Sequence, residues 1–131
     1  MIVRTLEDLK AGGSYREKPG VWSSARYLLR GDGVGITLTE TRVAAGSSQT
    51  MEYKNHIEAN YVIEGEGILE ELDTGRQHEL RPGVMYCLDK HDRHRIISKT
   101  PMRLICVFKP PLAGGEVHDE DGAYPPSKTA G

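Results

Sequence analysis

The chain has 131 residues, a length suited to one domain with its own apolar core. Its 17 Lys and Arg against 19 Asp and Glu leave a net charge of −2, which argues against nucleic acid or an anionic membrane as a partner. No apolar stretch approaches bilayer-spanning length, and the first residues carry two acids and no long apolar run, so a signal peptide is not expected.

Thr5, with Asp8 three residues on, caps a short helix that Gly12-Gly13 ends. From Trp22 onward the pattern changes to period two. Strands are expected at 22–29, 36–43, 47–53, 60–63, 68–72, 76–80, 84–88, 94–98 and 102–108. Asp32-Gly33, Asp73-Thr74-Gly75, Arg81-Pro82-Gly83 and Lys99-Thr100-Pro101 supply turns between them. Nine short strands with turn signals every ~8–12 residues describe an all-β barrel or sandwich. Cys87 and Cys106 lie in strand runs and, in a cytoplasmic chain, read as free thiols. After Pro110-Pro111 the β pattern stops. Residues 1–118 are expected to form the domain with a lid segment, and 119–131, acidic and then rich in Pro, Gly and Ala, a mobile tail.

Two stretches concentrate chemistry. Residues 53–67 read Tyr-Lys-Asn-His-Ile-Glu-Ala-Asn-Tyr-Val-Ile-Glu-Gly-Glu-Gly: His56 and Glu58 precede a short apolar run that closes in a glycine turn. Residues 82–94 place Tyr86 on a strand after a Pro-Gly turn and end in Asp-Lys-His-Asp-Arg-His. Singly, these residues have bland readings. A Glu in a loop is usually solvated, a Tyr in a strand is usually core, and His91 and His94 suit a charged surface turn. His91 reads as a turn or supporting residue and His78 as a solvated hairpin histidine. Together, the two stretches make a two-motif site, with a carboxylate from one strand pair and an imidazole from the other.

In these motifs, and in Val-Phe-x-Pro…Gly-x-Glu-Val-His-x-Glu-Asp-Gly-x-Tyr at 107–124, the chain resembles the cupins and, within them, the ectoine synthases. The resemblance runs from about residue 1 to 124. It implies a jelly-roll cupin β-barrel that closes N-γ-acetyl-L-2,4-diaminobutyrate to the cyclic amidine ectoine with loss of water. It also implies an iron-dependent lyase, working as a homodimer in the cytoplasm of a bacterium under osmotic stress. The implied metal ligands are Glu58, Tyr86 and His94. Two oxygen donors and one imidazole suit iron(II), and zinc(II) or manganese(II) match the same donors. The implied substrate contacts are Trp22, Ser24, Thr41, Tyr53, Cys106, Phe108, Glu116 and His118, and His56 moves to the substrate side. Tyr53, Glu116 and His118 are the candidates for proton transfer. Glu116 and His118 lie past the last strand and count only if 110–118 folds back over the mouth.

Strand parity adds to this list. Trp22, Ser24 and Arg26 share one face, as do Thr39 and Thr41, and as do Met102, Leu104, Cys106 and Phe108. Turned inward, these faces furnish hydroxyl donors, an aromatic floor and one cation, Arg26, suited to a carboxylate. One departure from the generic cupin stands out. Its His-x-His pair falls here on Lys54 and His56, so the three-His, one-Glu metal set is broken. That weighs against a dioxygenase or isomerase of the same fold. A ligand-sensing barrel without turnover is the other alternative, and it has no need of an open Lewis-acid site.

Overall fold

A computed structural model describes residues 1–53 and 55–114. It contains one α-helix, α1 (Leu6–Gly12), a short 3-10 turn (Arg30–Asp32) and ten strands: β1 (Tyr15–Lys18), β2 (Trp22–Leu28), β3 (Thr37–Val43), β4 (Ser48–Met51), β5 (Ile57–Glu64), β6 (Gly67–Glu71), β7 (Gln77–Leu80), β8 (Met85–Leu88), β9 (His94–Ser98) and β10 (Met102–Lys109). The strands make two antiparallel sheets, ordered β1-β2-β3-β10-β5-β8 and β4-β9-β6-β7. This is the expected jelly roll, built as two facing sheets.

The helix forms as its ends dictate. Thr5 Oγ1 accepts from the Asp8 amide, the Asp8 carboxylate accepts from the Thr5 amide, and Gly13 closes the end at φ 81°. β1 was not expected. Tyr-Arg-Glu-Lys carries no apolar alternation, and three of its four residues are exposed, because it is an edge strand held by the ladder to β2. β5 is longer than expected and begins at Ile57, so Glu58 belongs to a strand and not to a loop.

The core lies between the sheets. β10 is central to it, pairing with β3 on one side and β5 on the other. Met102, Leu104, Cys106 and Phe108 all point inward, as parity requires, and pack with Val62, Leu69, Leu80, Leu88 and Ile96. Cys106 is buried and Cys87 exposed, and both are free thiols.

Two connections pack closely against the large sheet. The turn after β5 presses on the start of β10: a Cβ on Gly65 would lie 2.1 Å from the Pro101 carbonyl oxygen and 2.8 Å from Met102 Cα. Gly65 also holds φ at 93°. Past β10, the chain turns back on the sheet. Leu112 is fully buried; its amide donates to Thr37 Oγ1 (2.7 Å), and its carbonyl accepts from the Arg30 amide (2.8 Å). The Gly114 carbonyl then accepts from Arg26 Nη1 at 2.9 Å. Residues 110–114 thus form a strap that ends on a side chain of the interior.

The turn gives a paired test. Gly65→Ala meets backbone as well as an unfavourable φ, and is expected to cost about 3 kcal/mol or more. Gly75→Ala, at φ 77° with nothing within 4 Å, should cost only about 1 kcal/mol. Urea unfolding of the two variants measures the difference, and equal costs would refute the close approach.

Candidate active site

The inward faces of the large sheet meet those of the small one around a cavity of roughly 730 Å³ of atom-free space, its mouth included. That is room for a small metabolite. β2 delivers Trp22, Ser24 and Arg26 to the cavity; β3 delivers Thr41; β10 delivers Leu104, Cys106 and Phe108. β5 adds Glu58 and Asn60, and β8 adds Tyr86. Gln49, Met51, Tyr53 and Ile96 close it from the other side.

Register orders these residues. Arg26 stands opposite Thr39, Thr39 opposite Cys106, Cys106 opposite Asn60 and Asn60 opposite Tyr86. A polar row therefore crosses the sheet, from a guanidinium at one end to a phenol at the other. The next inward row sets Phe108 opposite Glu58.

Glu58 is 5% exposed, and burial pushes its carboxyl up to about 8, with the hydrogen bond from Asn60 Nδ2 (3.1 Å) acting in the opposite direction. The Tyr86 phenol is pushed well above its ordinary range by burial and, after that, by the neighbouring Glu58 carboxylate. Burial likewise raises the Cys106 thiol, which points its Sγ at Thr41 Oγ1 (3.6 Å) and stays neutral.

His94 lies on the facing sheet, its ring centroid 5.9 Å from that of Tyr53. Burial lowers its pKa, so it is neutral at pH 7. Its Nδ1 is 2.9 Å from the Asp92 carbonyl, which can only accept, so Nδ1 carries the proton and Nε2 the lone pair. Nε2 is buried with no hydrogen-bond partner among the described residues. A ring oriented through one nitrogen, with its other lone pair unspent, is how a metal-ligating histidine is held.

These donors fit a cation. Burial opposes ionisation of both Glu58 and Tyr86, and the Glu58 carboxylate opposes that of Tyr86 further; a divalent ion would reverse these effects. Among the described residues no three His, Cys, Asp or Glu side chains form a metal-holding group, so a three-donor set here depends on the Tyr86 oxygen.

Tyr53 lies 5.7 Å from Phe108, edge to face, and its hydroxyl donates to Met51 Sδ at 3.3 Å. Its carbonyl accepts from His91 Nδ1 at 2.6 Å, and His91 takes a φ of 56° to make that bond. His91 thereby ties the β8–β9 loop to the chain leading into β5. His56 is buried with its ring edge-on to Phe108 at 6.2 Å, behind the cavity wall. His78 pairs with Glu71 at 2.6 Å, away from the cavity. Glu116 and His118 lie outside the described residues. Asn60, Gln49 and Met51 were not anticipated. For Asn60 the signal was present: once β5 starts at Ile57, parity turns Glu58, Asn60 and Val62 inward together.

Comparisons with known proteins identify the family. The family model described as ectoine synthase matches residues 1–128. The L-ectoine synthase of Oceanobacillus iheyensis is 50% identical over 125 residues, covering 95% of this chain and 97% of the relative. The crystal structure of ectoine synthase from P. lautus superposes with a TM-score of 0.85 at 41% identity, covering 99% of this chain and 94% of the other. An RmlC-like cupin from Shewanella frigidimarina matches at a TM-score of 0.61 and 18% identity, covering 73% of this chain and 82% of the other, which shows the fold alone. The match over nearly the whole chain, on a jelly roll of the cupin kind, makes the chain a member of the ectoine synthase family.

Proposed function

We propose that this protein closes N-γ-acetyl-L-2,4-diaminobutyrate into ectoine with loss of water, as a carbon–oxygen lyase. The observation that carries this reading is the match to ectoine synthases over nearly the entire chain, with the cavity residues inside the matched span. The α-amino nitrogen bonds to the acetamide carbon, the adduct's C–O bond breaks, and both protons of the attacking amine leave with the oxygen as water.

The chain's own residues divide the work. Arg26, buried in the cavity wall, pairs with the substrate carboxylate. Trp22 and Phe108 hold the apolar chain between them, while Ser24 and Thr41 offer hydroxyls to its polar ends. Folding amine and carbonyl together within one closed cavity supplies the advantage of an oriented intramolecular reaction. Iron(II), held by Glu58, Tyr86 and His94, would supply a Lewis acid that polarises the acetamide carbonyl, and zinc(II) or manganese(II) could occupy the same donors. Tyr53 gives a proton to the departing oxygen or takes one from the ammonium. Its hydroxyl now rests on a thioether, a weak acceptor readily exchanged for a substrate atom. Glu116 and His118 share this proton traffic; they follow Gly114 by two and four residues, and Gly114 is fixed on Arg26.

The product is a compatible solute, which places the enzyme in the cytoplasm under osmotic stress. No helix among the described residues is long and apolar enough to cross a membrane. A homodimer suits the outer face of β5 and the edge strand β8, where Ile57, Tyr61 and Met85 stand exposed.

Incubation with the acetylated diamino acid and iron(II) should give ectoine by NMR; unchanged substrate would refute the lyase reading. Chelation should abolish turnover and iron(II) restore it. Glu58→Ala and His94→Ala are each expected to lose about 100-fold in kcat together with bound metal, whereas His56→Ala keeps its metal. Loss of metal in His56→Ala equal to that in Glu58→Ala would break this assignment.

The Glu58 carboxyl also sets a pH signature for the metal-free protein. Its folded value of about 8 exceeds the ordinary 4.5, so the folded state holds the proton more tightly. Its contribution is full below the unfolded value and is lost as pH rises through about 8, by a few kcal/mol in order of magnitude. Glu58→Gln should flatten that slope in urea titrations, and an unchanged slope would place the effect elsewhere.

A further inference from the structure

Asn60 is a polar cavity residue to which neither the metal set nor the substrate contacts assign a task. It is 3% exposed, lines the cavity on β5, and gives an Nδ2 hydrogen to Glu58 Oε1 at 3.1 Å. Glu58 Oε1 accepts that bond, as an ionised carboxylate or as the carbonyl oxygen of a protonated one, so the amide nitrogen is spent on Glu58 and Oδ1 is the end left for a ligand. Among the described residues Asn60 makes no other side-chain hydrogen bond. On a residue that lines the cavity, that oxygen is an acceptor open to a bound molecule with an N–H.

Its position selects which N–H. In the polar row Arg26 is at one end, and Asn60 stands beside Tyr86 at the other. A substrate anchored by its carboxylate on Arg26 extends its acetamide toward Asn60. We propose that Asn60 reads the γ-amide of the substrate, its Oδ1 accepting the γ-N–H while its Nδ2 remains on Glu58. This rests on the cyclisation reading and deepens it.

The chemistry gives the contact a catalytic consequence. When the α-nitrogen bonds to the acetamide carbon and the C–O bond breaks, the γ-nitrogen lone pair delocalises into the forming amidine. The γ-N–H is retained and becomes a stronger donor as positive charge develops on it. A fixed acceptor at that point therefore binds the transition state better than the substrate. The Glu58 carboxylate behind Nδ2 polarises the Asn60 amide in the same direction. The same oxygen rejects an ester, which would bring a second lone pair against it.

The test is the pair N-γ-acetyl-L-2,4-diaminobutyrate and its ester isostere O-acetyl-L-homoserine, which differ only in N–H against O. Calorimetry on metal-free protein compares their binding without turnover. Wild type should prefer the amide about tenfold, and Asn60→Leu should bring the ratio within about twofold of one. Asn60→Ala serves in the same comparison if the leucine variant does not melt as a folded protein. In the iron(II)-loaded enzyme the variant should also lose about tenfold in kcat beyond any rise in KM. Equal binding of the two ligands by wild type, or a preference that survives in the variant, overturns the assignment. Ectoine formation by wild type separates the two failures: no ectoine sinks the cyclisation reading, whereas ectoine with an unchanged ratio sinks only the role of Asn60.

Discussion

A carboxylate inside an apolar sandwich must be matched by positive charge or take up a proton. Glu58 is such a group. It is buried between two sheets, and among the described residues the one interaction that favours its ionised form is a neutral hydrogen bond from Asn60. The surrounding protein repeats the demand. Tyr86 faces the same site as a phenol that burial keeps protonated, and His94 presents an unprotonated Nε2 without a partner among the described residues. Three groups that are costly when dry become mutually consistent around a divalent cation.

The jelly roll makes this arrangement possible by geometry alone. Alternate residues of β2, β3, β10, β5 and β8 enter one cavity, and the ladder places them in rows at strand spacing. A guanidinium and the phenol of the proposed metal-binding cluster are thereby held at opposite ends of a polar row, with hydroxyl, thiol and amide groups between them. That separation suits a substrate with a carboxylate at one end and an acetamide at the other. The chemistry is a matter of spacing before it is a matter of reactivity.

Much of this was legible in the sequence, because a half-buried strand declares its inner face. The inward sets of β2 and β10 followed from alternation, and so did the helix from Thr5 and Asp8. Two strands escaped for opposite reasons. β1 has almost nothing to bury, so hydrophobic pattern is silent on it. The start of β5 was hidden because its inward residues are Glu58 and Asn60, polar side chains that imitate a loop. Polar residues on the inner face of a strand break the apolar rule, and that break concealed the place of Glu58 on β5. The family resemblance supplied Tyr86, which no spacing of His, Cys, Asp and Glu would have nominated.

The strap after β10 carries one more consequence. Arg26 gives one hydrogen to the carbonyl of Gly114 and also lines the cavity. One side chain would therefore belong to two equilibria, the proposed capture of a carboxylate and retention of residues 110–114 on the sheet. Linkage makes the coupling mutual: whatever a carboxylate gains from an Arg26 held in place by the strap, detachment of the strap gives up in equal measure. On that proposal the grip on the substrate carboxylate and the grip on residues 110–114 are in this respect a single quantity.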